Sequence, residues 1–312
     1  MLSILTALAP VFLIIGLGYL LHRSGLVAER DWSALEHLTY YLLFPSLIVK
    51  TLATTDFSGI SLIGLVAGFL LALTAGAGLL LLLKVPLCRV LGLSDAGYTS
   101  LFQGTTRWHG FIALSIIAAL FGASGVAIVS VCIAALVPLI NVANILVLIR
   151  WGDRPADVVA PRLMQQIVKN PFIIACLLGA IANASGLGLP EPVGSAVGII
   201  SGGALGMSLL IVGAGLRPLR STGEWGAVAF SAVFRLIVMP TIFFLCLTLF
   251  GIDGEARTFG TICGGVPTAA AAYVLARKMG GDAPLMASMT TAQVMAASVT
   301  LPVLIYVLKL LE

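Results

Sequence analysis

Long stretches of this sequence contain no Asp, Glu, Lys or Arg. Seven such stretches occur, at residues 1–21, 57–83, 108–149, 170–190, 192–216, 258–276 and 283–308. Three further apolar stretches, at 36–52, 97–121 and 225–250, carry one or two charges each. A helix needs roughly 17–25 apolar residues to cross a bilayer core of about 30 Å, so each stretch is long enough to span a membrane.

The number of crossings follows from where these stretches divide. The stretch at 108–149 is too long for one crossing, and the Gly-Ala-Ser-Gly sequence at 122–125 is its natural turn. We therefore predict an all-α polytopic membrane protein with ten transmembrane helices, called spans 1 to 10. Their predicted bounds are 2–21, 36–53, 58–83, 97–121, 124–149, 167–186, 192–216, 225–250, 257–277 and 284–309. Span 1 is interpreted as a true helix and not a signal peptide, because no basic residue precedes its apolar stretch.

The composition excludes several classes of protein. The 312 residues are 60% hydrophobic and 10% charged, with a mean hydropathy of +1.12, whereas soluble domains are about 45–50% apolar and about 25% charged. The five cysteines lie far apart without metal-binding or disulfide spacing. A net charge of +4 is too small and too dispersed for a nucleic-acid surface. A soluble enzyme, a secreted scaffold and a DNA-binding protein are therefore excluded.

The distribution of basic residues predicts the orientation. If the N-terminus lies outside, twelve of the 17 Lys and Arg residues fall in inside segments: Arg23, Arg30, Lys84, Arg89, Arg150, Arg154, Arg162, Lys169, Arg217, Arg220, Arg277 and Lys278. Only Lys50, Arg257 and Lys309 fall outside, and Arg107 and Arg235 lie within spans. Because cytoplasmic loops carry the excess of Lys and Arg, both termini are expected outside, in the periplasm of a cell inner membrane.

The chain contains a weak internal repeat. Residues 10–26 (PVFLIIGLGYLLHRSGL) align without gaps on 171–187 (PFIIACLLGAIANASGL), with six identities in 17 positions. We therefore predict a first five-helix repeat at 1–150 and a second at 151–312, although two glycine-dotted apolar helices can also match by chance. An odd number of helices per repeat inverts the second copy, and inverted repeats with broken helices at mid-depth are typical of secondary transporters.

Spans 4 and 9 are both expected to break near mid-membrane. Arg107 is the eleventh residue of span 4, between Gly104 and Gly110, and a mid-membrane charge is tolerated only when it faces protein, water or an anion. Pro267 interrupts span 9 because proline removes an amide donor and clashes with the preceding turn. Half-helix N-termini at such breaks would attract an anion. A pair of packing kinks, with Arg107 held by carbonyls, is the alternative.

Other polar residues at depth are candidates for the same site. The full set of candidate substrate-binding residues is Gln103, Arg107, His109, Gly110, Asn141, Pro267, Thr268 and Gln293. Gln103 lies one turn before Arg107 and is expected to orient it. Asn141 and Gln293 are expected either to line the cavity or to form hydrogen bonds between helices. Arg235 is expected to snorkel toward the interface, with a second anion contact as the alternative.

The charge balance of the spans favours an anion. All 13 carboxylates lie in loops or at helix ends, so a cation would find no counter-charge at depth. Apart from Arg107, His109 is the only ionisable residue expected near the centre of the membrane, and histidine titrates near neutral pH. An incoming carboxylate would favour its protonation and couple a proton to the anion. A neutral, hydrogen-bonding His109 is the alternative.

Several motifs resemble those of the auxin efflux carrier family, which includes the plant PIN proteins and bacterial malonate- and malate-type carriers. The motifs are LLFPS at 42–46, QGTTRWH at 103–109, VPLIN at 137–141, PTAAAAYVLAR at 267–277 followed by GGD at 280–282, and TLP at 300–302. The segment from 267 to 282 is the most specific. Arg107, Asn141 and Pro267 match the family pattern, whereas His109 stands where the family usually has Asn.

The resemblance implies a particular architecture and mechanism. It implies that spans 4 and 9 cross at their breaks, where an organic anion binds. It also implies a scaffold of spans 1, 2, 6 and 7 and a mobile transport unit of spans 3–5 and 8–10, which move relative to each other as in an elevator.

These observations lead to one functional hypothesis and its competitors. We expect a secondary transporter of a small mono- or dicarboxylate, with no cofactor, no bound metal and no nucleic-acid partner. Export of an anion from a negative-inside cell is already downhill, whereas import requires a coupling ion such as H⁺ or Na⁺. Glycine-rich spans 2 and 7 would allow a homodimer. The alternatives are an anion-selective channel or a non-transporting membrane sensor, and an enzyme is not expected.

Overall fold

All regular structure in the described part of the chain is helical. The computed structural model describes residues 2–57, 61–153, 169–186, 188–218, 224–269 and 271–311. The helices are α1 (Leu2–Ser24), α2 (Glu29–Leu38), α3 (Phe44–Thr54), α4 (Leu62–Leu82), α5 (Lys84–Leu91), α6 (Asp95–Thr106), α7 (Gly110–Trp151), α8 (Pro171–Ala184), α9 (Val193–Ser201), α10 (Ala204–Ala214), α11 (Trp225–Val233), α12 (Met239–Leu249), α13 (Gly254–Gly265), α14 (Ala271–Met279) and α15 (Ala283–Leu311). The predicted beginnings of spans 3 and 6, and the basic residues Arg154, Arg162 and Arg220, lie outside the described residues.

Six helical stretches within the described residues are long and apolar enough to cross a membrane. They are Ile4–Ser24, Leu62–Leu82, Asp95–Trp151, Val193–Ala214, Trp225–Leu249 and Ala283–Leu311. The stretch Asp95–Trp151 has 57 residues, far more than one crossing needs at 1.5 Å per residue. It is interrupted after Thr106 and again at Gly122, whose φ of 68° is left-handed. The turn expected at 122–125 is therefore confined to one glycine.

Two π-helical turns, each directly before a proline, interrupt the regular α-helix. Thr39–Leu43 joins α2 to α3, in which Pro45 lies in the first turn, and Phe234–Val238 joins α11 to α12, in which Pro240 lies in the first turn. Proline cannot donate an amide hydrogen bond, which frees a carbonyl in the turn before it. Such π-turns shift the register of the side chains that follow and are frequent at functional sites.

The helices pack in two groups. In one group α1 packs along α10, and α3 packs along α8 and α9. In the other, α12 packs against α4 and α13, and α15 packs against α6, α11, α13 and α14. Glycines permit the closest approach in the first group: a Cβ on Gly213 of α10 would collide with the backbone of Ile15 and Tyr19 in α1. Helix α7 contacts both groups.

The segments predicted to lie inside meet one another in two places. Arg217, after α10, binds Glu29 at 2.8 Å and contacts His22 at the end of α1. The Gly-Gly-Asp turn at 280–282 packs on the start of α6, where the Ser100 hydroxyl donates to the Asp282 carbonyl at 2.9 Å. The Asp153 N–H after α7 donates to the Gly280 carbonyl at 2.9 Å. This turn therefore fastens together the ends of α6, α7, α14 and α15.

Candidate functional site

Two helix breaks in the described chain lie in direct contact. Between α6 and α7 the backbone is extended at Arg107 (φ −73°, ψ 150°) and leaves the helix until Gly110. Between α13 and α14 it is extended at Val266 (φ −74°, ψ 151°). The His109 N–H donates to the Pro267 carbonyl at 2.8 Å. The structure thus joins the two segments that the sequence singles out.

Different local chemistry ends the two helices. In α13 the glycine pair 264–265 precedes Pro267, which cannot continue a helical ladder. In α6 no proline is present. Instead the hydroxyls of Thr105 and Thr106 donate to the carbonyls of Leu101 and Phe102, at 2.8 and 2.7 Å. Such back-bonding competes with the main-chain ladder and bends helices.

Arg107 is held by Asn141, another of the candidate substrate-binding residues. Its Nη2 donates to the side-chain oxygen of Asn141 in α7. Its Nη1 is enclosed by protein and has no hydrogen-bond partner within the described residues. Asn144, one turn further along α7, instead accepts a hydrogen bond from Thr106 at 3.2 Å and donates to Ile140 at 2.7 Å. Asn141 therefore serves the break directly, whereas Asn144 joins helices.

Gln293 of α15 bridges the two breaks. Its Oε1 accepts the Thr268 N–H at 2.9 Å, and its Nε2 donates to the Gly104 carbonyl at 2.9 Å. The same Nε2 contacts the Ser231 hydroxyl at 3.3 Å. The Thr268 hydroxyl donates to the Gln103 carbonyl at 3.4 Å. Both Gln293 and Thr268 are completely buried, so these contacts hold the ends of α6 and α13 in a fixed relation.

Gln103 does not orient Arg107 as its spacing suggested. The Arg107 N–H donates to the Gln103 carbonyl at 3.0 Å, which is a main-chain bond. Both polar atoms of the Gln103 side chain are buried and, within the described residues, have no partner. The guanidinium binds Asn141 instead because that amide lies across from it on α7.

Four side chains at the break between α6 and α7 retain unused hydrogen-bonding capacity. At this break the atoms that are buried without a partner in the described structure are Gln103 Oε1 and Nε2, Arg107 Nη1, Trp108 Nε1 and His109 Nε2. Elsewhere in the described residues, four more such atoms are spread over Trp32, Thr39, Ser115 and Thr300. Buried polar groups are nearly always satisfied, and each exception calls for an explanation such as an absent ligand or water. The concentration of the atoms at this break within seven consecutive residues marks this segment as the candidate site.

The half-helix ends differ in whether protein caps them. The carbonyls near the C-terminus of α6 accept from Gln293 and Thr268, and those at the end of α13 are capped by Arg235. At the N-terminus of α7 the first intrahelical bond runs from the Ala113 N–H to the His109 carbonyl at 3.0 Å. The N–H groups of residues 110–112 therefore have no acceptor within their own helix. Pro267 contributes a carbonyl and not the amide donors expected there, since α14 begins only at Ala271.

Arg235 does not snorkel, which corrects the sequence-based expectation. It is 1% exposed, and its guanidinium donates to Val266 at 2.7 Å and to Cys263 at 3.2 Å. The break in span 9 supplies the carbonyl acceptors that an uninterrupted helix would not offer. A mid-span arginine on the helix preceding a predicted break was the available signal for this contact.

The described part of the site is positively charged. The buried polar residues include Arg235 and His109 but no Asp or Glu among the residues described. No three described His, Cys, Asp or Glu side chains lie close enough together to hold a metal ion. A cavity of about 380 Å³ lies away from the breaks, against Tyr273, Val274, Arg277 and Lys278 of α14. The free side-chain groups at the breaks are therefore mainly hydrogen-bond donors, with Gln103 Oε1 as an acceptor, and they suit a negatively charged or strongly accepting ligand.

Comparison with known proteins finds a family and a relative that each match nearly the whole chain. The sequence profile of a family described as membrane transport protein matches residues 3–156 and again residues 153–305. A protein of Methanothermobacter thermautotrophicus, described as an uncharacterized transporter, is 25% identical over 295 residues. That alignment covers 94% of each chain.

Proposed function

Because this chain belongs to the membrane transport protein family, that of the auxin efflux carriers, we propose that it is a secondary transporter of a small organic anion. The substrate is a mono- or dicarboxylate that binds between the breaks. The observation that carries the proposal is the asymmetric capping of the half-helices. Protein groups bind four carbonyls at the C-terminal ends, those of Gln103, Gly104, Cys263 and Val266, whereas Arg107 Nη1 and the first amides of α7 remain for a ligand.

Electrostatics favours an anion over a cation or a neutral ligand. Two guanidinium groups, Arg107 and Arg235, lie at the breaks without a buried carboxylate in the described residues. A helix N-terminus adds about half a positive charge. A carboxylate can accept two parallel hydrogen bonds from a guanidinium. Arg107 would bind the carboxylate, with His109 and the amide at Gly110 nearby and Gln103 as a further donor.

We propose ten membrane crossings arranged as two inverted repeats. Equivalent glycines support this arrangement. Gly18 in α1 abuts the backbone of Leu210 in α10, and its repeat counterpart Gly179 in α8 abuts Leu52 of α3, where a Cβ added to the glycine would lie only 2.7 Å from that of the leucine. Each first helix of a repeat thus packs on the second helix of the other repeat. The two successive family matches, at 3–156 and 153–305, agree with this division.

We propose that transport is elevator-like. The first packing group (α1, α3, α8, α9 and α10), together with α2, which contacts α10, corresponds to the proposed scaffold. Helices α4–α7 and α11–α15 form the proposed transport unit. The turn at 280–282 and the bridge at Gln293 tie the transport unit together. Arg217 on the scaffold side forms reciprocal hydrogen bonds with Thr291 of α15, at 2.8 and 3.2 Å, which must break if the unit slides.

We further propose an inner-membrane location with both termini periplasmic. The contacts of Arg217 with Glu29 and of Asp153 with Gly280 support the grouping of these segments on one side of the membrane. The excess of Lys and Arg in the same segments favours the cytoplasm as that side. In such a membrane, export of a monoanion is downhill by about 2.3 kcal/mol per 100 mV of negative-inside potential. The transporter then needs no coupling ion for export.

A thermal-shift panel on detergent-purified protein tests the substrate class. The panel contains malonate, malate, succinate, lactate, indole-3-acetate and a bile acid, applied to wild type, Arg107→Gln and Arg30→Gln. A ligand at 100 times its dissociation constant stabilises by about 2.7 kcal/mol. We expect one acid to raise the Tm of wild type and of Arg30→Gln, whose arginine is exposed, but not of Arg107→Gln. If no carboxylate acts, or if Arg107→Gln responds like wild type, the proposal fails.

Spin labels test the elevator. Cysteines at Leu177 of α8 and Leu249 of α12 report the distance between the two proposed bodies, and a pair at Leu249 and Val299 reports distances within the transport unit. All three side chains are exposed at the protein surface. We expect the stabilising acid to change the first distance distribution and leave the second unchanged.

Counterflow of labelled substrate in proteoliposomes distinguishes a carrier from a channel, because a channel shows no counterflow.

A further inference from the structure

Arg235 is the largest of the fully buried side chains in the described structure. It lies on span 8, outside both breaks, and both of its hydrogen-bond acceptors are main-chain carbonyls. A buried charge without a counter-ion is costly, and buried charged side chains in proteins are normally paired with an opposite charge. The position therefore calls for a reason beyond filling space.

The guanidinium is bound to the end of one half-helix. Its Nε donates to the carbonyl of Val266 and its Nη2 to that of Cys263, and these carbonyls belong to the last turn and the cap of α13. A helix C-terminus carries about half a negative charge. Without Arg235, this negative end would face the site at which the anion is proposed to bind.

The fold places span 8 against both breaks. Ser231 contacts Gln293, which donates to Gly104 near the end of α6, and Arg235, four residues later, reaches the end of α13. The π-helical turn Phe234–Val238 contains Arg235 and precedes Pro240. This turn changes the register of the helix at the point where its side chain meets α13, as π-turns at functional sites do.

We propose that Arg235 is a positioning residue of the anion site, an inference that rests on the proposed function. Its charge neutralises the C-terminal end of α13 and contributes a positive field at the breaks. Its two hydrogen bonds hold Cys263 and Val266, and thereby Pro267, whose carbonyl accepts the His109 N–H next to Arg107. Arg235 thus strengthens anion binding without touching the substrate.

A second helix end shows that capping alone does not require a charge. At the end of α3, the Asn183 side-chain amide donates to the carbonyls of Leu52 and Thr55, both at 2.9 Å. A neutral amide therefore satisfies two carbonyls in the same way, away from the breaks. The charge at Arg235 is the additional feature, and an anion at the breaks would use it.

The test compares affinity with stability in Arg235→Gln, Arg235→Lys and the matched cap variant Asn183→Ala. For each, the Tm without ligand, the Kd for the acid that stabilises wild type, and KM and Vmax in proteoliposomes are measured. We expect Arg235→Gln to raise Kd and KM at least tenfold. In Arg235→Lys both constants should stay within about threefold of the wild-type values. Asn183→Ala should lower the Tm with Kd and KM unchanged.

The outcomes separate the inference from the function on which it rests. If Arg235→Gln lowers only the Tm or Vmax and keeps the wild-type Kd, Arg235 is a structural cap and the inference is wrong. If Arg235→Gln does not fold, Arg235→Lys decides: binding more than tenfold weaker overturns the role of charge. If wild type binds no carboxylate, the proposed function fails first, and the inference falls with it.

Discussion

The main-chain N–H of His109 donates to the carbonyl of Pro267 at 2.8 Å, and this bond joins two helix breaks from opposite halves of the chain. Main-chain bonds of this kind normally lie within one helix. Here the bond exists because Pro267 ends one helical ladder and the backbone becomes extended at Arg107 in the other. A displacement of either break therefore moves the other, and the two act as one unit.

Gln293 is expected to be essential for this unit. Gln293→Leu leaves the Thr268 N–H and the Gly104 carbonyl buried without partners, at a cost of about 1–3 kcal/mol each. We expect a lower Tm and loss of transport. Ser298→Ala, on an exposed position of the same helix, should change neither. Full activity of Gln293→Leu would show that the bridge is dispensable.

His109 is expected to link transport to pH. Its Nε2 is buried without a partner in the described structure, two residues from Arg107, and a bound carboxylate would favour its protonation. We expect His109→Gln to flatten the pH dependence of uptake, because the substitution removes the titrating imidazole. His37→Gln, at an exposed position, is the control. An unchanged pH profile in His109→Gln would exclude proton coupling through this residue.

The crossing of α1 and α10 is expected to tolerate no side chain at Gly213. A Cβ there would collide with the Ile15 carbonyl, so the helices would have to separate. Overpacking typically costs about 1–3 kcal/mol, and we expect at least that loss in Gly213→Ala. Gly206→Ala on the same helix has open space and should fold normally. Equal Tm values for the two variants would contradict this packing.

The Glu29–Arg217 pair is expected to give a small pH-dependent stability. The hydrogen bond from Arg217, and then that from His22, lowers the pKa of Glu29 below its ordinary value of 4.5. A lowered carboxyl pKa stabilises the fold above the ordinary value, and this contribution is lost as the pH falls through the lowered pKa.

Glu29→Gln should therefore be slightly less stable than wild type at pH 7, and the difference should vanish in acid. Because the Glu29 side chain is 68% exposed, the loss should stay below about 1 kcal/mol. Melting curves of both proteins across pH 3–8 measure it, and Arg217→Gln should remove the larger share of the same pH-dependent part, since His22 supplies the rest. A Tm difference that persists unchanged into acid would contradict the pairing.

Much of the architecture could be predicted from the sequence. Uncharged runs about 20 residues long are visible in the sequence itself, because a helix needs such a run to cross the lipid bilayer regardless of how the helices pack. Pro267 and the charge at Arg107 predicted the positions of the two breaks for similar local reasons. The glycine at 122 likewise marked a turn, although the structure needs only that one residue for it.

The partners of buried polar side chains could not be predicted in this way. Sequence spacing paired Gln103 with Arg107, yet the guanidinium binds Asn141. It also placed Arg235 at the membrane surface, yet Arg235 caps α13. Both errors have one cause. Spacing along a helix gives only the neighbours within that helix, whereas these bonds go to another helix.

The sequence by itself determined that the chain is a helical membrane protein with interrupted helices, since hydrophobic length, proline and glycine act locally along the chain. Only the tertiary structure decided which orphaned carbonyls and amides find partners, since that depends on which helices the fold brings together. The resulting pattern leaves hydrogen-bond donors free around Arg107. Arg235 binds the carbonyls of Cys263 and Val266, and Gln293 binds that of Gly104. Packing between distant segments creates that asymmetry, and the asymmetry is what makes the breaks suited to an anion.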